Sequence, residues 1–428
     1  MAYRKLIFDL EKLKKIRKHR ELSQRELSAR MHYSVHQICQ IERGERNFTP
    51  ESYAKFKIVL DVEDVPYSSD EILSYRGELC DWKNMLLMGN INKAKELLPD
   101  FKRRTELCFD NHIQNLFDLY SLEYYHTMDD MKTFHIVLAQ IKDRANELNK
   151  ECLYWYHRAL GHTEIERWQL KNALAEFYNA REIRRQFNIR DEALNLSIGF
   201  CLLNMGDNLG AMKHLKKAQK KIAKKFNTRY KLLLHLYTAR GYGLQGKYSK
   251  SLSMLNQMLH EDREKLKTHG LEGSFIRSIA DIYHKFGDFD KAVEYINESL
   301  LYFHVDGEQY VYTLYKKAVM LAGCERITES IACINKAKDI CANDETVCGI
   351  LLKMLSHSLQ LDKPASFNYM KRYAIPHLEQ RGMYLEAIEY YEKLSEYCSK
   401  KSKLRDSLTF LSKAYTLHKK LTQGDVGV

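Results

Sequence analysis

The chain has 428 residues, 45% of them apolar and 29% charged, with a formal net charge of +12. Only 5 prolines and 19 glycines at this length exclude a sheet-rich or disordered chain and predict an all-α protein, too long for one compact core. The charge is uneven, because residues 1–60 hold 14 Lys and Arg against 7 Asp and Glu, so the positive field that would attract a polyanion belongs to the N-terminal part.

In chain order, the opening MAYRKLIFDLEKLKK lacks the uninterrupted apolar core of a secretory signal, and no later stretch matches the run of about eighteen apolar residues a membrane span needs. A cytoplasmic protein without a membrane partner is expected. Leu10, Leu13 and Ile16 share one face of a first helix, whose other face is basic through Lys12, Lys14, Lys15 and Lys18. Ser23 with Glu26 three residues on makes a capping box for a second helix that buries Leu27 and Met31 and ends near His32. Ser34 caps a third, with Ile38 and Ile41 inward and Gly44 as its stop. Thr49 and Pro50, cap and first-turn proline, open a fourth that carries Tyr53, Phe56 and Leu60. With Ile38 and Ile41 inward, a helical wheel turns His36, Cys39, Gln40 and Arg43 outward, a polar face able to form hydrogen bonds.

Residues 10–46 resemble the helix-turn-helix of the lambda-repressor and Cro type, on "LSQRELS" and "ICQIERG". The resemblance implies that the helix from Ser34 to Arg43 lies in the major groove of DNA, with Val35, His36 and Gln40 at the base-reading places. Glutamine pairs with adenine, valine packs on a thymine methyl, and histidine donates or accepts at a base edge. The same resemblance makes Gln24 a phosphate contact at a helix start and Arg17 with Glu42 a buried salt bridge. The candidate DNA-binding set is Gln24, Ser34, Val35, His36, Gln37, Gln40 and Arg43. His32 stands where the family usually has glycine, at a turn position that tends towards positive φ, where histidine is among the tolerated residues.

Residues 65–74, within the polar DVEDVPYSSDE stretch, read as a linker between a domain at 1–64 and a longer one at 75–420. The longer domain repeats. IADIYHKFGDFDKAVEYINESL, residues 279–300, resembles the tetratricopeptide consensus, with Ala280 small, Tyr283 aromatic, Gly287, Asp288 and Phe289 in the turn, and Ala292 on the second helix. The same anchor recurs at Ala94, Ala173, Ala211 and Ser251, and more weakly at Thr133, Ser330, Ser366 and Ser407, at intervals of 36 to 41 residues. Nine helix pairs, A then B, are expected over residues 75–420, stacked into a right-handed superhelix that holds a partner on its concave side, with 421–428 as a disordered tail.

In ordinary tetratricopeptide arrays fixed helix-A positions line the groove, which nominates Arg158, His162, Arg240, Arg277, Asp281 and His284. Asn195 and Asn204 join them because asparagine satisfies both the amides and the carbonyls of an extended peptide. The arginines point to a ligand with at least one acidic group. Residues 212–226 place seven lysines on one helix B, which reads as a solvated convex face or, alternatively, as a surface for an acidic partner or an accessory DNA contact. Ten cysteines without a C-x-x-C pair argue for buried reduced thiols, and no phosphate loop, G-x-S-x-G, H-E-x-x-H or metal-binding histidine spacing is present. No cofactor, metal or enzymatic activity is expected.

A lambda-repressor-like domain joined to nine long repeats resembles the peptide-pheromone-responsive regulators of Gram-positive bacteria, the Rap, Rgg, NprR, PlcR and PrgX group, with NprR the nearest by length, repeat period and repeat number. That resemblance implies a quorum-sensing transcriptional regulator that binds operator DNA as a homodimer or tetramer under the control of a short signalling peptide in the groove. The alternative it implies is a peptide-controlled binder of a sporulation-phosphorelay response regulator; Rap members use a glutamine in their first repeats to promote dephosphorylation, and Gln114 in NHIQNLFDLYSLEYYH lies in about that region.

Overall fold

The structure, a computed structural model, describes residues 14, 16–18, 20–43, 45–46, 49–60, 69–107, 110–128, 130–187, 189, 191, 193–222, 228–341 and 346–423. Leu10, Leu13, Lys12, Lys15 and Gly44 lie outside the described residues. The chain divides into two compact units, Met1–Cys152 and Leu153–Val428.

The first unit begins with the short helices Gln24–Met31, Val35–Glu42 and Pro50–Val59. Ile16, Leu27, Met31, Ile38, Ile41, Phe56 and Leu60 form their common core, each at most 3% exposed. Local chemistry sets each start. The Ser23 hydroxyl accepts from the Glu26 amide while the Glu26 carboxylate accepts from the Ser23 amide. Ser34 forms the same reciprocal pair with Gln37, and Thr49 accepts from the Ser52 amide ahead of Pro50. His32 closes the first of these helices at φ 57°, the left-handed region that its place in the turn demands.

From Ser69 onward, apart from a 3-10 turn at Ala145–Glu147 and a short helix at Arg263–Thr268, the helices of the described residues come in nine consecutive A and B pairs. Those beginning in the first unit are Ser69–Met88 with Ile91–Leu107, Asn111–Thr127 with Met131–Asp143, and Lys150–Glu166 with Leu170–Phe187. The second unit continues with Leu194–Met205 and Asn208–Ile222, Thr228–Leu244 and Tyr248–Glu261, Glu272–Phe286 and Phe289–Leu300, then Glu308–Gly323 and Ile327–Ile340. The eighth pair sets Val347–Ser358 against Pro364–Tyr369 and Ile375–Arg381, joined by a π turn at Met370–Ala374 just before Pro376, which has no amide hydrogen for the helical ladder. Tyr384–Lys400 with Leu404–Gln423 is the ninth. Two boundaries differ from the sequence expectation: helix begins at Ser69, inside the stretch read as linker, and runs to Gln423, inside the stretch read as tail.

The periodic small residues sit where helices A and B cross. Ala94, Ala173, Ala211 and Ala292 are fully buried, as are Ser251 and Ser330. At three of the four serine anchors the hydroxyl turns back onto a helix-A carbonyl twelve residues upstream: Ser251 donates to Ala239 at 2.7 Å, Ser330 to Ala318 at 2.8 Å and Ser407 to Ser395 at 2.9 Å. Ser366, at the fourth, lies 2.9 Å from His357 Nδ1 instead.

Within the second unit the array closes on itself. The Arg381 guanidinium donates to the Arg167 carbonyl at 2.6 Å, and Lys171 lies 5.2 Å over the Tyr384 ring. Trp168, in the third A–B turn at φ 52°, packs 5.2 Å from Tyr312. Gly206, at φ 93°, touches the same seam, since a Cβ there would lie 2.8 Å from Leu385 and 2.9 Å from Leu421.

Ala292→Ser is expected to cost no more than about 1 kcal/mol, because its hydroxyl can take the carbonyl bond seen in the serine repeats, whereas Ala292→Leu is expected to cost about 1 to 3 kcal/mol by overpacking. Urea unfolding of the two variants compares them directly.

Candidate functional site

The outward face of the helix Val35–Glu42 is held by one buried ion pair. Arg17 Nε donates to Glu42 Oε1 at 2.6 Å, with side chains only 8% and 2% exposed, and Arg17 Nη1 donates to the Leu22 carbonyl at 2.6 Å. Burial alone would raise the Glu42 carboxyl, but hydrogen bonds from Arg17 and Gln24 outweigh it and hold the group below its ordinary range. The pair and its hydrogen bonds thereby tie together three segments that also share the apolar core around Leu27 and Ile38.

On that framework Val35 is 41% exposed and His36 and Arg43 are exposed, while Cys39 and Gln40 are half-buried beside them. The face is the one the helical wheel gives. Two members of the nominated set hold the framework together. Gln24 Nε2 donates to Glu42 Oε2 at 2.8 Å, tying that side chain into the buried pair, and the Gln37 side-chain oxygen is taken by the Ser34 amide. Val35, His36, Gln40 and Arg43 are thus the side chains presented outward.

The groove nominations divide more sharply. Arg158 is only 2% exposed and pairs with Asp191 at 3.2 Å, while Tyr154 donates to the same carboxylate and Arg158 Nη2 donates to Tyr230 on the fifth A helix at 3.4 Å, a buried network that links the third repeat to those after it. Asn195, 8% exposed, shares a hydrogen bond of 3.0 Å with His214 between helices A and B of its own repeat. Arg158, nominated by the helix-A offsets of a shorter repeat, and Asn195, nominated for the chemistry of its amide, are thus both engaged in hydrogen bonds or ion pairs within the protein. His162 is half-buried, edge-on to Phe177 at 5.4 Å, and His284 is edge-on to Phe289 at 5.6 Å.

Arg240, Arg277 and Asp281 do come together. Arg240 Nη2 donates to Asn204 Oδ1 at 2.9 Å, and Asn204 is anchored through its own amide on the Phe200 carbonyl at 2.8 Å. Arg277 donates to Thr313 Oγ1 and Gln309 Oε1, both at 2.9 Å, and stacks over Phe303 and Tyr312 at 5.1 and 5.2 Å. Both arginines are positioned by neutral groups. Three residues not nominated from sequence complete the cluster: Lys316, 3.6 Å from Asp281, with Tyr312 and Glu386 nearby. Lys316 lies one repeat beyond Asp281, so extending the groove offsets past the sixth repeat would have found it.

The charges are interlocked. Burial would raise the Asp281 carboxyl, but Lys316, Arg240 and Arg277 hold it low; burial would lower the Lys316 ammonium, but Asp281, Tyr312, Glu386 and Glu389 hold it high. Glu386 is the exception, pushed up by burial despite Lys316, and its Oε2 is buried with no hydrogen-bond partner among the described residues.

One arrangement invites a catalytic reading and does not sustain it. Cys152 Sγ lies 3.5 Å from His112 Nδ1, which is 2.9 Å from Asn149 Nδ2. Burial pushes the thiol up to about 12 and the imidazole down, so both are neutral and no thiolate is formed. Gln114 is half-buried on the helix Asn111–Thr127. Lys213, Lys216, Lys217 and Lys220 are exposed on the helix Asn208–Ile222. Among the described residues no group of three or more His, Cys, Asp or Glu is placed to hold a metal ion, and no helix is long and apolar enough to cross a membrane.

Fold and site together define a helix-turn-helix protein that carries a tetratricopeptide array. Residues 13–63 match the helix-turn-helix family model, and residues 278–302 match a tetratricopeptide-repeat model. The chain is 20% identical over 373 residues to the transcriptional activator NprA of Geobacillus stearothermophilus, covering 82% of this chain and 89% of that protein. It is similar in fold to NprR in complex with its cognate peptide NprX, at a TM-score of 0.71 and 18% identity over 80% of this chain and 99% of that one. A Rap protein complexed with competence and sporulation factor is similar at a TM-score of 0.70 and 15% identity, over 81% and 98% of the two chains. In architecture the chain therefore stands with the Rap and NprR proteins.

Glu42→Ala, which leaves Arg17 buried without its partner, is expected to cost about 3 to 5 kcal/mol and to speed hydrogen exchange across residues 24–42 without altering the later repeats. Because the Glu42 carboxyl titrates below its unfolded value, the stabilisation it supplies is complete above about pH 4.3 and is lost as pH falls through the depressed folded value. The protection factors of that segment, which remove the intrinsic slowing of exchange in acid, should therefore fall in acid for the wild type, with a smaller pH dependence in the variant.

Proposed function

We propose that the protein is a cytoplasmic transcriptional regulator, not an enzyme. The helix Val35–Glu42 reads operator DNA, and the cluster around Asp281 binds a short signalling peptide that sets when the operator is occupied. The observation that carries this reading is the recognition face itself: a polar surface made of Val35, His36, Gln40 and Arg43, fixed by the Arg17–Glu42 pair, in the most basic part of the chain. Such a face enters the major groove with its N-terminal residues on base edges. One helix of this kind covers a half-site, so two copies of the chain are needed for a palindromic operator. Likeness to a transcriptional activator and to a peptide-bound NprR supports the assignment.

The groove adds the chemistry of the ligand. Arg240 and Arg277 donate their hydrogen bonds to neutral amides and hydroxyls and have Asp281 as a nearby carboxylate, so a carboxylate on the peptide would compete with Asp281 for their charge. Tyr312 and Trp168 supply an apolar wall beside them. A peptide with an acidic side chain or a free C-terminus set against this pair is the ligand class that fits.

Operators selected from random duplexes by the full chain provide the test. Substituting His36→Ala and Gln40→Ala together should abolish preference for the selected sequence, at about 1 to 3 kcal/mol for each lost base contact, with unchanged circular dichroism. Retained selectivity in that double variant overturns the assignment of the helix. Arg277→Glu should weaken an acidic groove peptide by about tenfold or more while leaving DNA affinity without peptide as it was, measured by calorimetry and gel shift.

A further inference from the structure

The helix Asn208–Ile222, the B helix of the fourth pair, buries Ala211, Leu215, Ala218 and Ile222 on its inner face. On the opposite side Lys213, Lys216, Lys217 and Lys220 are all exposed, and their spacing sets the four ammonium groups in one stripe along the helix. This helix holds no aspartate or glutamate, and it is alone in that among the B helices of the described residues. Other B helices neutralise their cations locally: Arg185 pairs with Glu182 at 3.3 Å and Lys291 with Asp288 at 3.1 Å. None of the four lysines has a carboxylate partner among the described residues.

The positive field continues onto the preceding B helix, Leu170–Phe187. Burial, Lys217 and Arg181 together drive the His214 imidazole down to about 4, so Arg181 bears on the same region as the stripe. His214 itself adds no charge; it is neutral and hydrogen-bonded to Asn195.

A stripe of this composition favours one kind of partner. Protein interfaces are depleted in lysine and carry aromatic side chains at their centre, whereas no apolar side chain stands in this row. Lysine is a hydrated point charge on a flexible stem, which holds phosphate without requiring a fixed geometry. Four charges over seven residues of helix are about 3.5 Å apart along the axis, against about 3.4 Å per phosphate along one strand of duplex DNA.

We propose that Lys213, Lys216, Lys217 and Lys220 form a second duplex-DNA contact, one that holds the phosphate backbone without reading sequence. It goes beyond the recognition helix and rests on the DNA-binding reading only for the identity of the polyanion. Its effect is to retain the chain on DNA outside the operator.

Fluorescence anisotropy of the full chain with a duplex of random sequence, at salt from about 50 to 200 mM, tests it. The fourfold variant Lys213→Gln, Lys216→Gln, Lys217→Gln, Lys220→Gln should lower the slope of log affinity against log salt by about 3 to 4, and weaken binding by about tenfold or more at low salt. Glutamine keeps the helix propensity of lysine, so circular dichroism should not change. The corresponding fourfold arginine variant should keep the wild-type slope. Lys336→Gln, Lys338→Gln, Lys401→Gln and Lys403→Gln together, at lysines exposed elsewhere in the array, make the same change in net charge and should leave the slope nearly as it was. An unchanged slope in the first variant, which an acidic protein as the partner of the stripe would give, overturns the proposal, and so does an equal fall in the control. Operator preference of the wild type is read from parallel titrations with the selected duplex: its absence would count against the recognition helix, while the salt slopes decide the stripe by themselves.

Discussion

The repeat array depends on the close crossing of helices A and B at one small residue per repeat. A lone helical hairpin cannot bury its apolar face, so each pair must lie flat enough for the next to cover it. That geometry requires alanine, or a serine whose hydroxyl finds a hydrogen-bond partner at the crossing. Ser251, Ser330 and Ser407 each make that bond to a partner twelve residues upstream, which shows how similar the crossing is from repeat to repeat. The side chains on the concave side inherit their spacing from it.

A second constraint acts within the unit Leu153–Val428. Contacts of Trp168 with Tyr312, Arg381 with Arg167 and Lys171 with Tyr384 bring late repeats against early ones. The cations and carboxylates of the intervening A helices are consequently crowded into a low-dielectric space, where Asp281 stays ionised among Lys316, Arg240 and Arg277 while Glu386 is driven towards its neutral form. A charged peptide entering such a space exchanges these internal partners for its own. Its differential affinity for the closed seam and for a more open one is the free energy available to change DNA binding.

Much of this was legible in the amino-acid sequence where local chemistry decides the structure. Ser23 with Glu26, Ser34 ahead of Ile38, and Thr49 with Pro50 announce their helices, and the repeat anchors stand out because a crossing tolerates so few residue types. The Arg17–Glu42 pair was visible only through resemblance to a family, since 25 residues separate the partners. At Arg158 and Asn195 nothing in the sequence pointed to the buried partners the structure supplies, Asp191 and His214. Sequence reasoning stopped short of Lys316 and Tyr312, one repeat beyond Asp281, and of Glu386, whose nearness to Lys316 joins repeats distant in sequence. Periodicity marks which residues share a helix face, whereas the rotation of that face about the superhelix axis is set by packing that no single repeat encodes.

The central claim is that occupancy of the groove and occupancy of DNA are thermodynamically coupled. The most direct measurement is the dissociation constant of the full chain for a selected operator, by fluorescence anisotropy at fixed salt, with and without a saturating peptide selected against the groove. Coupling of the usual size shifts that constant by about 5 to 150-fold in either direction, and a change within this range is the expected result. An identical constant in the presence and absence of a peptide shown to occupy the groove would contradict the account.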